Sequence, residues 1–154
     1  MMKCGAAMVD ITPALGTHLA GGGAGEYRPA KSVMDPLYAR VLVLESGGCR
    51  LCMVALDVTI VTEEWTRRIR RAAERKFGLP AEAVMVFATQ THSAPPLGHI
   101  MLDPDFKGIP ADKEYLWGGE TPYYEMATGR AIEAIGKAVS GLRPVEVGVG
   151  HAVR

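Results

Sequence analysis

The sequence predicts an α/β layered domain with a mixed β-sheet flanked by helices, and three observations carry that prediction. Short apolar runs of strand length alternate with two longer segments of helical period, in the order β-β-β-α-β-α-β. A Gly-Gly turn between two Val/Leu-rich runs signals an antiparallel hairpin inside that otherwise alternating order. The chain has 154 residues, 48% hydrophobic and 22% charged, which is enough for one domain with a real core.

Each element has its own signal. "CGAAMVDITP" reads as a short strand that ends at Asp10 and Pro13, and "GTHLAGGGAGEYRPAK" as a glycine-rich loop. "LYARVLVLES" and "CRLCMVALDV" are the hairpin strands, joined at Gly47 and Gly48. The first helix has Thr62 as N-cap, Glu63 and Glu64 in its first turn, and Gly78 with Pro80 as its stop. Trp65, Ile69, Ala72, Ala73 and Phe77 make one apolar face, and Arg67, Arg68, Arg70, Arg71 and Arg75 cover the rest. A strand over Val84–Ala88 follows, then a long loop from 93 to about 120. The second helix takes Thr121 as N-cap and Pro122 at its first position, and runs to Gly141. Val145, Val147 and Val149 alternate as a last strand would. No linker or repeat divides residues 1–154.

Composition excludes several classes. Seventeen basic residues balance seventeen acidic ones, so no global charge points to nucleic acid or an anionic membrane, and the arginines of the first helix read as a solvated outer face. No apolar run reaches the roughly 20 residues of a transmembrane span. The N-terminal "MMKCGAAMVDITP" reaches Asp10 too early for a secretory leader, and the expectation is a cytoplasmic protein. Cys49 and Cys52 form a CxxC, but on a strand residues three apart face opposite ways and no second pair follows. They are expected to be reduced core or edge residues.

The chemistry-bearing residues cluster after the Val84–Ala88 strand, in "ATQTHSAPP". On an extended chain Gln90 and His92, at i and i+2, point to one face and can reach one centre. Ser93 as a nucleophile with His92 as base is disfavoured, because neighbours on a strand point apart and no nucleophile-elbow glycines surround it. Asp57, at the end of "VALDV", is either a loop cap or part of a site, since strand ends are where α/β proteins bind ligands. The glycine loop at 21–25 lacks a Lys-Ser/Thr and reads as a flexible cleft wall through Gly21 and Gly22. His18 and His99 sit in loops and are expected to be exposed.

With these residues in hand, "VDITP", "DPLYARVLVLE", "VALDV", "AEAVMVFATQTHSAPP" and "GRAIEAIGKAVSGLRPVEVGVG" stand in the order found at the N-terminus of the neutral/alkaline non-lysosomal ceramidase family. The chain resembles that family over nearly its whole length. The run into T-x-T-H-S-A/G-P is the specific part. The resemblance implies a zinc-dependent amidohydrolase that cleaves the N-acyl bond of ceramide or a related lipid-like acyl amide. It implies that the first histidine of the family's H-T-H-S is a zinc ligand and the second histidine helps to hold the oxyanion. Those roles fall on Gln90 and His92. Here the sequence departs from the family, because a neutral amide oxygen is a poor zinc donor beside imidazole. The family's remaining ligands, a histidine, a glutamate and a tyrosine, lie downstream of the matched region, and His151 aligns with none of them. Residues 1–154 therefore read as the incomplete N-terminal segment of a ceramidase-like domain, its partner being the missing C-terminal part. The alternative is a non-catalytic domain that binds a small molecule or lipid and has lost the zinc site through Gln90.

Overall fold

A computed structural model describes residues 1–21, 27–99 and 105–152. Five strands and two α-helices run in the order β1 (Lys3–Asp10), β2 (Tyr38–Ser46), β3 (Cys49–Leu56), α1 (Glu63–Phe77), β4 (Val84–Ala88), α2 (Thr121–Ser140) and β5 (Arg143–Pro144). The sheet order is β4-β3-β2-β1-β5. β3 and β4 are parallel and every other pairing is antiparallel, so the sheet is mixed as the sequence predicts. The β2–β3 turn falls on Gly47 and Gly48, both at positive φ.

Burial alternates along each central strand. Val9, Val41, Val43, Val54, Leu56 and Val84 face a single core that also takes Trp65 and Ile69 of α1 and Ala131, Ile135 and Ala138 of α2. Both helices thus cover the same face. On the opposite face Met8, Met85 and Phe87 are exposed. Gly5 permits α2 to lie close on β1, for a Cβ there would stand 1.9 Å from the carbonyl oxygen of Ala138.

The helix ends follow their sequence signals with one correction. Gly78 closes α1 in the left-handed conformation, φ 64°. For α2 the N-cap is Glu120, and Thr121 is already the first helical residue with Pro122 behind it. The apolar face of α1 is the predicted one, with Trp65, Ile69, Ala72 and Ala73 buried. Its arginines are partly engaged. Arg67 bonds Glu63, Arg68 pairs with Glu125 at 2.8 Å and lies over the Trp65 ring, and Arg70 donates to the Val84 carbonyl at 2.7 Å.

The predicted last strand is shortened to two residues. β5 runs antiparallel to β1, with Lys3 opposite Pro144, so residues 146–152 pass beyond the first residue of β1 and have no ladder to join there. Among the described residues no helix is long and apolar enough to cross a membrane.

Cys49 and Cys52 occupy different environments, as strand alternation requires. Cys49 is exposed, while Cys52 is buried and its thiol is pushed up to about 11 by that burial. Alkylation of the native protein is expected to label Cys49 and to spare Cys52 until the chain is unfolded, because only the thiolate reacts. Mass spectrometry of the labelled peptides checks this; equal labelling of both thiols would mean that β3 opens in the native state.

Candidate functional site

One end of the sheet gathers the carboxyl ends of β1, β3 and β4 with the start of β2. Ala39 pairs with both Val9 and Leu56, and Leu56 pairs with Ala88. Asp57 and the 89–93 segment leave the sheet here, side by side, with Thr89 N–H donating to the Leu56 carbonyl at 2.9 Å. The exit of a parallel strand pair is where α/β sheets hold ligands.

The local premise drawn from strand alternation does not extend to Gln90 and His92. β4 ends at Ala88, and Gln90 has φ 61°, the only positive value among the described non-glycine residues. A left-handed residue turns the chain off the pleat, so the period of two is lost before His92 is reached. Both side chains are exposed. The placement of His92 comes instead from a neighbouring segment.

That segment is residues 17–21 of the glycine-rich loop. Ala20 N–H donates to the Ala94 carbonyl at 2.9 Å, and the buried Thr59 hydroxyl donates to that same carbonyl at 2.8 Å. One residue on, the Gly21 carbonyl lies 3.1 Å from His92 Nδ1. Gly21 has φ 105°, and a Cβ there would come within 2.6 Å of His92 Cα. The close approach that glycine permits is thus to the His92 backbone rather than to a ligand. Gly22, the other glycine expected in the cleft wall, lies outside the described residues.

This contact defines the imidazole. A carbonyl oxygen only accepts, so Nδ1 carries the proton and the neutral ring offers a lone pair at Nε2. To donate from Nε2 toward an oxyanion the ring must be protonated. Ser93 is exposed, its own N–H reaching Thr91 Oγ1 at 3.4 Å, and among the described residues its hydroxyl makes no bond to His92. Thr91 and Ser93 border a cleft of about 360 Å³ whose other walls include Thr12, Leu19, Val33 and Met34.

Asp57 is used as a cap and ion pair. Its Oδ2 accepts from Tyr38 N–H at 2.9 Å and from Arg40 Nη1 at 2.5 Å. The Tyr123 hydroxyl is buried without a hydrogen-bond partner among the described residues. Burial, then the charges of Asp57 and Asp10, push its phenol well above the ordinary range.

His18 corrects the expectation of an exposed loop histidine. Its Nδ1 is 2.5 Å from Glu120 Oε1, which also accepts from the His18 backbone N–H at 3.1 Å. Its ring lies flat on Tyr115, with centroids 3.9 Å apart and planes 8° apart. His99 is exposed as expected, and stacks on Trp117 at 5.3 Å. The Glu120–His18 pair spans 102 residues, and no motif in the sequence announces it.

The donors among the described residues fall short of a zinc centre. Among the described residues no three His, Cys, Asp or Glu side chains converge as metal ligands. The 89–93 segment brings one imidazole lone pair and one exposed amide, whereas catalytic zinc takes three or more protein ligands.

The arrangement defines a class: a mixed-sheet α/β unit with a loop-built cleft at the carboxyl ends of its strands. No protein-family profile matches the chain, and no curated protein does. Solved structures do. The chain is similar to the neutral ceramidase from Pseudomonas aeruginosa, with a TM-score of 0.73 and 22% identity over 93% of its length. It is similar to a ceramidase complexed with C2, with a TM-score of 0.70 and 21% identity over 93% of its length. In both cases it spans 22% of the solved chain. At this identity the likeness establishes the fold, which is ceramidase-related and forms a minor part of a larger chain in those proteins.

Proposed function

We propose that this chain is the N-terminal part of a ceramidase-like hydrolase of N-acyl amides, with the segment after β4 forming one wall of its active site. The observation that carries the reading is the pinned imidazole of His92, which stands at the strand exit within the T-x-T-H-S run. In its neutral form Nε2 accepts a proton or a metal ion; once protonated it donates to the oxygen on which charge develops as an amide carbonyl is attacked. The substrate class is a lipid-like acyl amide. Zinc, which the family resemblance implies, needs ligands from outside the described residues.

A non-catalytic binding domain is the second reading. The observation favouring it is Gln90, exposed and left-handed where the family carries its first zinc ligand.

The two readings separate by experiment. Calorimetric titration of the 154-residue chain with zinc is expected to show weak binding, and incubation with a fluorogenic ceramide no turnover, because affinity depends on a full ligand set in fixed geometry. The longer protein that this proposal requires is expected to hydrolyse an acyl amide and to lose that activity on chelation. Tight stoichiometric zinc binding by the short chain would overturn the incomplete-site argument. Inactivity of the longer protein on acyl amides would favour the binding reading.

A further inference from the structure

We propose that His18 and Glu120 are positioning residues that set the orientation and tautomer of His92. The proposal rests on the functional reading above only for what the oriented ring then does.

The path is short and continuous. Glu120 is the N-cap of α2, a 20-residue helix packed on β1 and β2, so its carboxylate projects from a rigid element. One of its oxygens receives both the backbone N–H and the ring Nδ1 of His18, and Tyr115 stacks against the ring face. Two contacts to one carboxylate and one flat stack hold the His18 backbone and ring together. Two residues on, Ala20 is fixed by its bond to Ala94, whose carbonyl also takes the Thr59 hydroxyl. The next carbonyl, that of Gly21, is the one that receives His92 Nδ1.

The Gly21 carbonyl has no side chain to steer it, and its φ of 105° lies in the left-handed half of backbone space. Its direction is set by what holds the segment: backbone bonds from Leu19 to Arg28 and from Ala30 to Thr17, the Ala20–Ala94 bond, and the Glu120 and Tyr115 contacts that fix the His18 side chain. His92 sits at the far end. A hydrogen bond weakens steeply as its angle opens, so a small rotation of residues 18–20 releases Nδ1. The released ring then samples both tautomers, and Nε2 no longer offers a constant lone pair. Carboxylate–imidazole pairs elsewhere orient a reactive ring directly. Here the pair acts one segment away, on the carbonyl that orients a second ring.

Long-range proton–nitrogen NMR of the 154-residue chain at alkaline pH, where free imidazoles are neutral, reads the tautomer of His92. The His92→Gln spectrum assigns its signals. The parent chain is expected to show the Nδ1–H form. In Glu120→Ala the ratio is expected to move toward Nε2–H by roughly fivefold, the factor carried by one net hydrogen bond. Glu120→Gln, which keeps an acceptor oxygen, is expected to retain most of the Nδ1–H form. His18→Phe keeps the stack on Tyr115 and the backbone bond but removes the ring bond, and is expected to shift the ratio in the same direction by less. An unchanged tautomer in folded Glu120→Ala overturns the proposal; if that variant does not fold, an unchanged tautomer in His18→Phe does so. The functional reading fails separately: acyl-amide hydrolysis absent from the longer protein retires that reading and leaves the positioning role standing, if the tautomer moves as described.

Discussion

Gly21→Ala is expected to release the His92 ring while leaving the sheet folded. The added Cβ would lie 2.6 Å from His92 Cα and 2.8 Å from both its Cβ and its carbonyl oxygen. These atoms belong to the chain itself or sit next to it, and cannot swing aside as the tip of a long side chain can. A φ of 105° adds backbone strain of about 1–3 kcal/mol for any residue with a Cβ. Overpacking contributes about 1–3 kcal/mol more. Both are relieved if residues 17–21 move off the 92–94 segment. Since that segment lies outside the strands and the core cluster, the relief costs the bond to His92 Nδ1 and the Ala20–Ala94 backbone bond rather than the fold. Gly78→Ala supplies the control, with φ 64° and nothing within 4 Å of the added Cβ. It carries strain without a clash, and is expected to lower stability by about 1 kcal/mol with the His92 tautomer unaltered. The two variants are compared by denaturant midpoint and by the NMR reading of His92. A Gly21→Ala protein with both quantities unchanged would show that the close approach does not hold in solution.

What the sequence made legible depended on how far each signal reached. The hairpin was announced by adjacent glycines, the α1 face by apolar residues at helical spacing, and the mixed sheet by element order. All of these are local patterns. Val145, Val147 and Val149 alternate as a strand should, yet pairing needs a partner and the antiparallel register with β1 has run out by then. Thr121 has the chemistry of an N-cap, but the residue in the capping position is Glu120, whose carboxylate is drawn to His18.

At the site the T-Q-T-H-S run was visible because its residue types are unusual beside a buried strand. The geometry that places His92 was not. It depends on Gln90 taking a left-handed conformation, which a glutamine does not advertise as glycine or asparagine would. It depends also on contacts between residues 18, 20 and 21 and residues 92, 94 and 120, which no window along the chain spans. Asp57 carried two readings, and the Tyr38 and Arg40 bonds give it the capping one.

Gln90→His is expected to tighten zinc binding in the longer protein if position 90 faces the metal. Swapping a neutral amide oxygen for an imidazole gives this borderline-soft ion a stronger donor. Changes at metal-supporting positions commonly alter affinity or activity by ~10–100-fold, which sets the size of the effect. The backbone does not oppose the exchange. Gln90 is exposed at φ 61°, and histidine is among the residues that visit this region more readily than most. Zinc content by elemental analysis and hydrolysis of an acyl amide are measured together, since their combination assigns the residue. A rise in both places position 90 at the metal. Lower activity with unchanged zinc gives Gln90 a bond to substrate or a part in orienting His92, and the imidazole then fails because its donor and acceptor nitrogens diverge across the ring, whereas the oxygen and NH2 of the amide sit side by side on one carbon. Equal zinc and equal activity in the two proteins would remove position 90 from the metal altogether, leaving His92 as the one residue of the run on which the functional reading rests.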